Sequence, residues 1–395
     1  MVETDDSSDE RSMLARYRSY EHAYSIEPNI KAIEGAQKRF SQLLSGHFAY
    51  GEDLRNLSQE IQEHYLANRQ TADDYEKKMS AMHELGHIIR KHRRWKFKLF
   101  PSGSTMTGLA SKGSDLDLTV WIPYARKYYA NESEAAFDIL RNIRHFLFTD
   151  KEINYKLESV LYVEAKVPVL KIKWKKGLET DLSCSTEMFV SGIQNSYLIR
   201  GFALWDKRFA PLCMLVKDWA SRCDVKNPKH GGFNSYAMVL LVVHFLQCAV
   251  FPPVLPNLQE LFPRKYARNC DGEIRFPREI DFGDKSFPDD CPEMEKCGMS
   301  LAELFIRFLD YYSRFDFGHH YICMRDAAVR WRDGRDGSQK VSDAIAVFIR
   351  DPIDDHNPGR TVRDVEYLQH IMRKTLRLFQ TSKHFPTLSE ILENH

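Results

Sequence analysis

The chain has 395 residues, enough for two or three domains and an ample core. Hydrophobic residues make up 43% and charged residues 28%, which is ordinary for a soluble globular protein and unlike a disordered or membrane-embedded chain. With 56 basic and 55 acidic residues the net charge is +1, so the chain lacks the overall positive charge with which proteins hold nucleic acid unaided.

The first dozen residues are acidic and polar; they read as disordered and contain no signal peptide. The aromatic stretch from Tyr17 to Tyr24 either packs on the chain's own core or docks on a partner. Leu54, Leu57, Ile61 and Tyr65, and then Met79, Met82, Leu85 and Ile89, recur at helical spacing. The second run includes His83-Glu84-Leu85-Gly86-His87, which matches the HExxH zinc-peptidase pattern with both histidines on one helix face. A metallopeptidase is therefore an alternative from another enzyme class, although no HxxGxxH extension or third ligand follows. Basic character is local, at Lys91 to Lys98 and Lys171 to Lys176.

The segment Pro101 to Trp121 is the most informative of all. A Gly-Ser turn, Gly103-Ser104, precedes the pair Asp115 and Asp117, with ten residues between Ser104 and Asp115. Asp115 to Val120 alternates polar and apolar residues, as a half-buried strand does, and residues i and i+2 on a strand share a face. The two carboxylates then enter one site, where they repel unless they share protons or bind cations. Magnesium, with manganese as a substitute, takes oxygen ligands of this kind. A Gly-Ser turn offers amides and a hydroxyl to phosphate. Further on, Val167 to Lys173 and Leu178 to Ser183 flank a turn at Gly177 and predict a hairpin. It carries Asp181 mid-strand, where a shared metal would remove the cost of an unpaired carboxylate.

Gly-Ser, a spacer, Asp-x-Asp and a later strand Asp resemble the signature of the polymerase-beta-like nucleotidyltransferases. Three downstream stretches are similar to the cytoplasmic poly(A) polymerase and terminal uridylyltransferase branch: Asn195-Ser196 with Lys217-Asp218-Trp219-Ala220, Gly231 to Gln247, and Ile349 to Arg360. The likeness is strongest to the germline-development type of cytoplasmic poly(A) polymerase. It implies an α/β catalytic domain plus a mostly helical, all-α central domain, with the active site in the cleft between them. The expected limits are an N-terminal extension at 1–45, the catalytic domain at 80–190, and the helical domain at 46–79 plus 191–395.

The resemblance also implies the chemistry: template-independent addition of nucleotides to an RNA 3′ end by two-metal catalysis. Asp115, Asp117 and Asp181 would hold the metals, and Gly103 and Ser104 the β- and γ-phosphates. Lys217 would add positive charge, Asn195 would contact the ribose, and Ser196 would belong to the nucleotide site. Ser235 and Tyr236 open an apolar helix capped by Asn234; they suit the γ-phosphate and stacking on the base. Asp351 and His356 belong to the nucleotide-recognition loop. His356 lies where uridylyltransferases carry a base-reading histidine, but Asp351 to Asn357 has no extra residue, which favours ATP and leaves UTP as the alternative. A catalytically dead scaffold is the non-enzymatic reading, and the intact carboxylate set argues against it.

Leu204 to Ser221, Ser235 to Phe251, Ser300 to Phe315 and Thr361 to Phe379 are the predicted later helices, and residues 252–299 are poorly readable. Val239 to Phe251 is apolar but too short to span a bilayer. Eight cysteines without a CxxC pair suit reduced thiols in the cytoplasm. No RNA-recognition module appears, so weak RNA binding and an RNA-binding protein partner are expected, and the family type points the same way.

Overall fold

The computed structural model describes residues 6–47, 50–93, 95–164, 167–187, 190–266, 280–287, 291–354 and 356–393. The chain divides into a sheet unit, residues 68–203 and 266–285, and a helical unit, residues 1–67, 204–265 and 286–395. The sheet unit is thus wider than the 80–190 expected, because flanking helices on both sides of that span are bonded into it.

The helical unit opens with α1 (Asp6–Tyr24), α2 (Ile30–Ile33), α3 (Ala36–Leu43) and α4 (Tyr50–Asn68). Helix α1 reaches into the acidic segment expected to be disordered; acidic residue types suit a helix N-terminus. Its Tyr17 and Tyr20 meet Phe251 edge-on, at 4.5 and 5.2 Å between ring centroids, and Tyr24 meets Trp205 at 6.0 Å. All three tyrosines are buried, so the aromatic stretch is core and does not offer a docking surface. On α4 the predicted stripe is real: Leu54, Leu57 and Ile61 are buried.

The sheet unit begins with α5 (Ala72–His92), started by a capping box between Thr71 and Asp74. Then come β1 (Lys98–Ser102), the short α6 (Ser104–Thr107), β2 (Leu116–Trp121), α7 (Glu132–Thr149) and α8 (Lys151–Asn154). Strands β3 (Leu157–Val163), β4 (Val169–Trp174) and β5 (Glu179–Ser185) follow, and α9 (Ser191–Trp205) closes the unit. The five strands lie in the order β1-β2-β5-β4-β3, with β2 and β5 parallel and the other neighbours antiparallel. Leu116, Leu118 and Val120 of β2 face a core with Leu170, Ile172 and Leu182. That core is completed by Leu85, Ile88 and Ile89 of α5 and Ile139, Leu140 and Ile143 of α7. This packing is why α5 belongs with the sheet.

The helical unit resumes with α10 (Phe209–Arg222), α11 (Ser235–Cys248), α12 (Leu258–Leu261), α13 (Pro263–Tyr266) and α14 (Leu301–Arg314). The single helix expected from Leu204 to Ser221 is interrupted: α9 ends at Trp205, and the Asp206 carboxylate accepts the Arg208 N–H at 2.8 Å before α10 starts. A small sheet expected nowhere in the sequence joins β6 (His320–Cys323), β7 (Ala328–Trp331) and β8 (Ile349–Arg350), in the order β7-β6-β8. Helices α15 (Val365–Thr381) and α16 (Leu388–Glu393) complete the chain. Helix α11 is buried along its length from Ala237 to Cys248, as its apolar run predicts. Among the described residues no helix is long and apolar enough to cross a membrane.

Candidate active site

The register of the large sheet brings the predicted carboxylates together. Ser102 of β1 pairs with Asp117 of β2, Asp117 with Asp181 of β5, and Asp181 with Lys171 of β4. Four polar residues therefore lie in one row across four strands. Asp115 precedes the first residue of β2, so the strand starts one position later than predicted, and Asp115 remains two residues from Asp117. Burial, and then the charges of Asp181 and Asp115, push Asp117 up to about 6. Desolvation and Asp181 also raise Asp115. A carboxylate set that resists its own ionisation calls for cations, and oxygen donors of this type fit hard divalent ions. The three are not drawn as close as a preformed cage: among the described residues only Asp351, Asp354 and His356 place ligand atoms all within 4.8 Å of one another.

Lysines supply part of the missing charge. Lys171 Nζ lies 2.7 and 2.9 Å from the two Asp181 oxygens, a contact that holds the ammonium charged above its usual range. The hairpin turn predicts this pair, since counting back symmetrically from Lys176 sets Lys171 opposite Asp181. No motif marks it. The same holds for Lys78, buried on α5, whose ammonium donates to Gln70 at 2.8 Å, Thr105 at 3.1 Å and Ser114 at 2.9 Å. Lys78 ties both ends of the Gly103-to-Asp117 connection to one helix. No sequence period marks it, because its apolar neighbours give it the look of an ordinary amphipathic lysine.

Gly103 is fixed by sterics. Its φ is +65°, and a Cβ there would lie 2.1 Å from Asp117 Oδ2. Only glycine allows the turn to pass the carboxylate so closely. Its N–H donates to Ser196 Oγ at 2.7 Å, and that hydroxyl donates on to Gly192 O at 2.6 Å. This changes two expectations. The Gly103 amide is already used, and Ser196 is a support behind the turn in this structure, where a nucleotide contact was expected. Ser104 opens α6 and is half-buried; Asn195 is buried on α9.

The helical unit holds the other predicted residues. Asn234 caps α11 by accepting the Ala237 N–H at 2.8 Å, and its amide donates to Pro358 O at 2.8 Å. Ser235 is exposed at the helix start, and Tyr236 is half-buried. The Tyr236 hydroxyl donates to Asp351 Oδ2 at 2.8 Å. Asp351 also accepts the Ile353 and Asp354 N–H groups at 2.8 and 3.2 Å. The His356 ring is hydrogen-bonded to Asp354, and its Nδ1 is 3.7 Å from Asp351 Oδ2. Tyr236, Asp351 and His356 thus form one network, organised further by Asn357, whose Oδ1 accepts the Ile349 and Gly359 N–H groups. Lys217 is half-buried on α10; burial and nearby Lys226 push its ammonium down.

The peptidase alternative fails on geometry. His83 and His87 are exposed on α5, and Glu84 is ion-paired with Lys156 at 2.9 Å. Neither histidine belongs to any three-ligand cluster among the described residues.

Residues 57–203 match the family described as "Poly(A) RNA polymerase, mitochondrial-like, central palm domain", and residues 300–357 match "Cid1 family poly A polymerase". The mouse "Poly(A) RNA polymerase GLD2" is 28% identical over 340 residues, covering 85% of this chain and 66% of the mouse protein. The Drosophila melanogaster "Poly(A) RNA polymerase gld-2 homolog B" is 29% identical over 328 residues, 78% of this chain and 23% of that protein. The chain thus spans just under two thirds of the mouse relative's length and less of the fly relative's. Among solved structures, "structure of GLD-2/RNP-8 complex" has a TM-score of 0.69 at 26% identity, covering 86% of this chain and 98% of that one. A "Cytoplasmic RNA Terminal U-transferase" shares the fold, with a TM-score of 0.67 at 23% identity. The chain is thus similar, in two stretches of its sequence and in its fold, to the GLD2-type poly(A) RNA polymerases.

Proposed function

We propose that this chain is a template-independent RNA 3′-end nucleotidyltransferase that adds AMP from ATP. The single observation that carries the reading is the row Ser102, Asp117, Asp181 and Lys171, with Gly103 held against Asp117 where no side chain fits. The RNA 3′-hydroxyl attacks the α-phosphate, and pyrophosphate leaves. Asp115, Asp117 and Asp181 are the residues that would hold magnesium or manganese. When bound, those ions supply charge stabilisation at the attacking and leaving oxygens. The Ser104 hydroxyl and the amides that follow it bind the β- and γ-phosphates, while Ser196 fixes the Gly103 backbone that aims them. Asp181 accepts the proton of the 3′-hydroxyl once Lys171 gives way.

From the helical unit, Lys217 and Ser235 are assigned to the triphosphate, and Tyr236 to stacking on the base. Asp351 holds the tyrosine hydroxyl and thereby fixes its ring. ATP over UTP is supported by the relatives, which are named poly(A) polymerases, and by the absence of an extra residue between Asp351 and Asn357. His356 is tethered to Asp354, as a structural part of the loop. The solved relative is a complex with RNP-8, which supports a protein partner for this chain too. The described cysteines are free thiols, which supports work in the reducing cytoplasm.

The test is Asp115→Ala. It should abolish AMP incorporation into an RNA primer while far-UV circular dichroism stays unchanged and melting does not fall, since one of three repelling carboxylates is removed. Wild-type incorporation by this variant would sink the mechanism.

A further inference from the structure

A second polar site lies in the helical unit, and none of the residues assigned above lines it. Helices α3, α14 and α15 line an open hollow of about 360 Å³. Its lining includes five arginines, Arg39, Arg307, Arg314, Arg373 and Arg377, and a single carboxylate, Asp310. The arrangement follows from helical spacing: 307, 310 and 314 share a face of α14, and 373 and 377 share a face of α15.

The charge is not balanced within the fold. Asp310 is saturated, with Oδ2 at 2.9 Å from Arg39 and Oδ1 at 2.9 Å from Arg314. Arg307 is neutralised by Glu303 at 2.8 Å, bonded to Gln37, and stacked 4.4 Å over the Phe40 ring. Arg373 spends one Nη on the Ser313 carbonyl at 3.0 Å and meets no carboxylate among the described residues. Arg377 has no side-chain partner among the described residues. Two guanidiniums therefore meet the hollow with their charge uncompensated. In a chain of net charge +1 such a concentration is local.

We propose that this hollow binds a compact polyphosphate anion. Guanidinium forks match phosphate oxygens in pairs, and Arg373 and Arg377 bring two uncompensated forks to the hollow beside the three paired arginines. The arginines converge on one concave space from three helices. Single-stranded RNA presents its phosphates along a line and is met by a track of positive charge. A hollow of this size falls in the range of small-molecule sites. The site is independent of the catalytic reading.

Inositol hexakisphosphate is a suitable probe, because it is compact, highly charged and not a nucleotide. Calorimetry on the full chain at near-physiological salt, with magnesium and a saturating non-hydrolysable ATP analogue, should show stoichiometric uptake. Arg373→Gln/Arg377→Gln should weaken it by roughly tenfold or more, since charged hydrogen bonds are lost. Its unliganded melting temperature should not move, because both side chains are exposed. Arg373→Lys/Arg377→Lys should bind with intermediate strength. Absence of uptake by the wild type, equal uptake by the double glutamine variant, or displacement by the ATP analogue would each overturn the proposal. A short oligo(A) whose binding weakens in the glutamine variant, with no uptake of the probe, would make this an RNA contact and overturn it as well.

Discussion

Asp117 pays for its position. It sits half-buried beside Asp115 and Asp181, and it ionises near 6 where the ordinary value is 3.8. The folded form holds its proton more tightly than the unfolded chain does. Without metal, ionisation therefore costs stability; the cost is full above about pH 6, shrinks as pH falls, and is gone below about 3.8. The shift corresponds to about 3 kcal/mol at most, and partial exposure to water reduces it to roughly 1–2 kcal/mol. Asp117→Asn should stabilise the EDTA-treated protein by that amount at pH 7.5, and the advantage should vanish near pH 3.8. Urea titrations at several pH values measure this. A variant less stable than wild type at pH 7.5 would show that the carboxylate is satisfied by the fold.

At the scale of elements, the connection from β1 to β2 is held by α5. Lys78 binds Thr105 at one end and Ser114 at the other. Replacing it with Met keeps the volume and removes a buried charge, so stability should change little. The turn and the carboxylate pair would lose their common anchor, and small misplacement of reacting groups costs about ten- to a hundredfold in rate. Lys78→Met should therefore lower kcat by that range with melting within a few degrees. Unchanged kcat would make Lys78 a packing residue only. The carboxylates were legible in the sequence because strand alternation and hairpin symmetry are local. The role of Ser196 was not, because its contact to Gly103 spans 93 residues. The small sheet of β6, β7 and β8 was not legible for a related reason: its strands have four residues or fewer, and β6 pairs with β8 across β7 and the segment that follows it. The break at Asp206 escaped too, since the flanking residues keep helical apolar spacing.

For the molecule as a whole, 56 positive and 55 negative charges leave little to hold RNA through repeated additions. Phosphate neutralisation dominates such affinity, and the arginine cluster of the helical unit gathers at one local hollow and forms no extended track. The isolated chain should bind oligo(A) weakly, in the micromolar range or above, by fluorescence anisotropy at physiological salt. Nanomolar binding would remove the need for a partner that raises effective concentration.

The most direct test of the account is a single incorporation assay. An RNA primer is offered each of the four ribonucleoside triphosphates separately, with magnesium, to wild type and to Asp115→Ala. The account predicts extension with ATP well above the other three, and none by the variant. Preference for UTP, extension indifferent to Asp115, or no extension at all would contradict it.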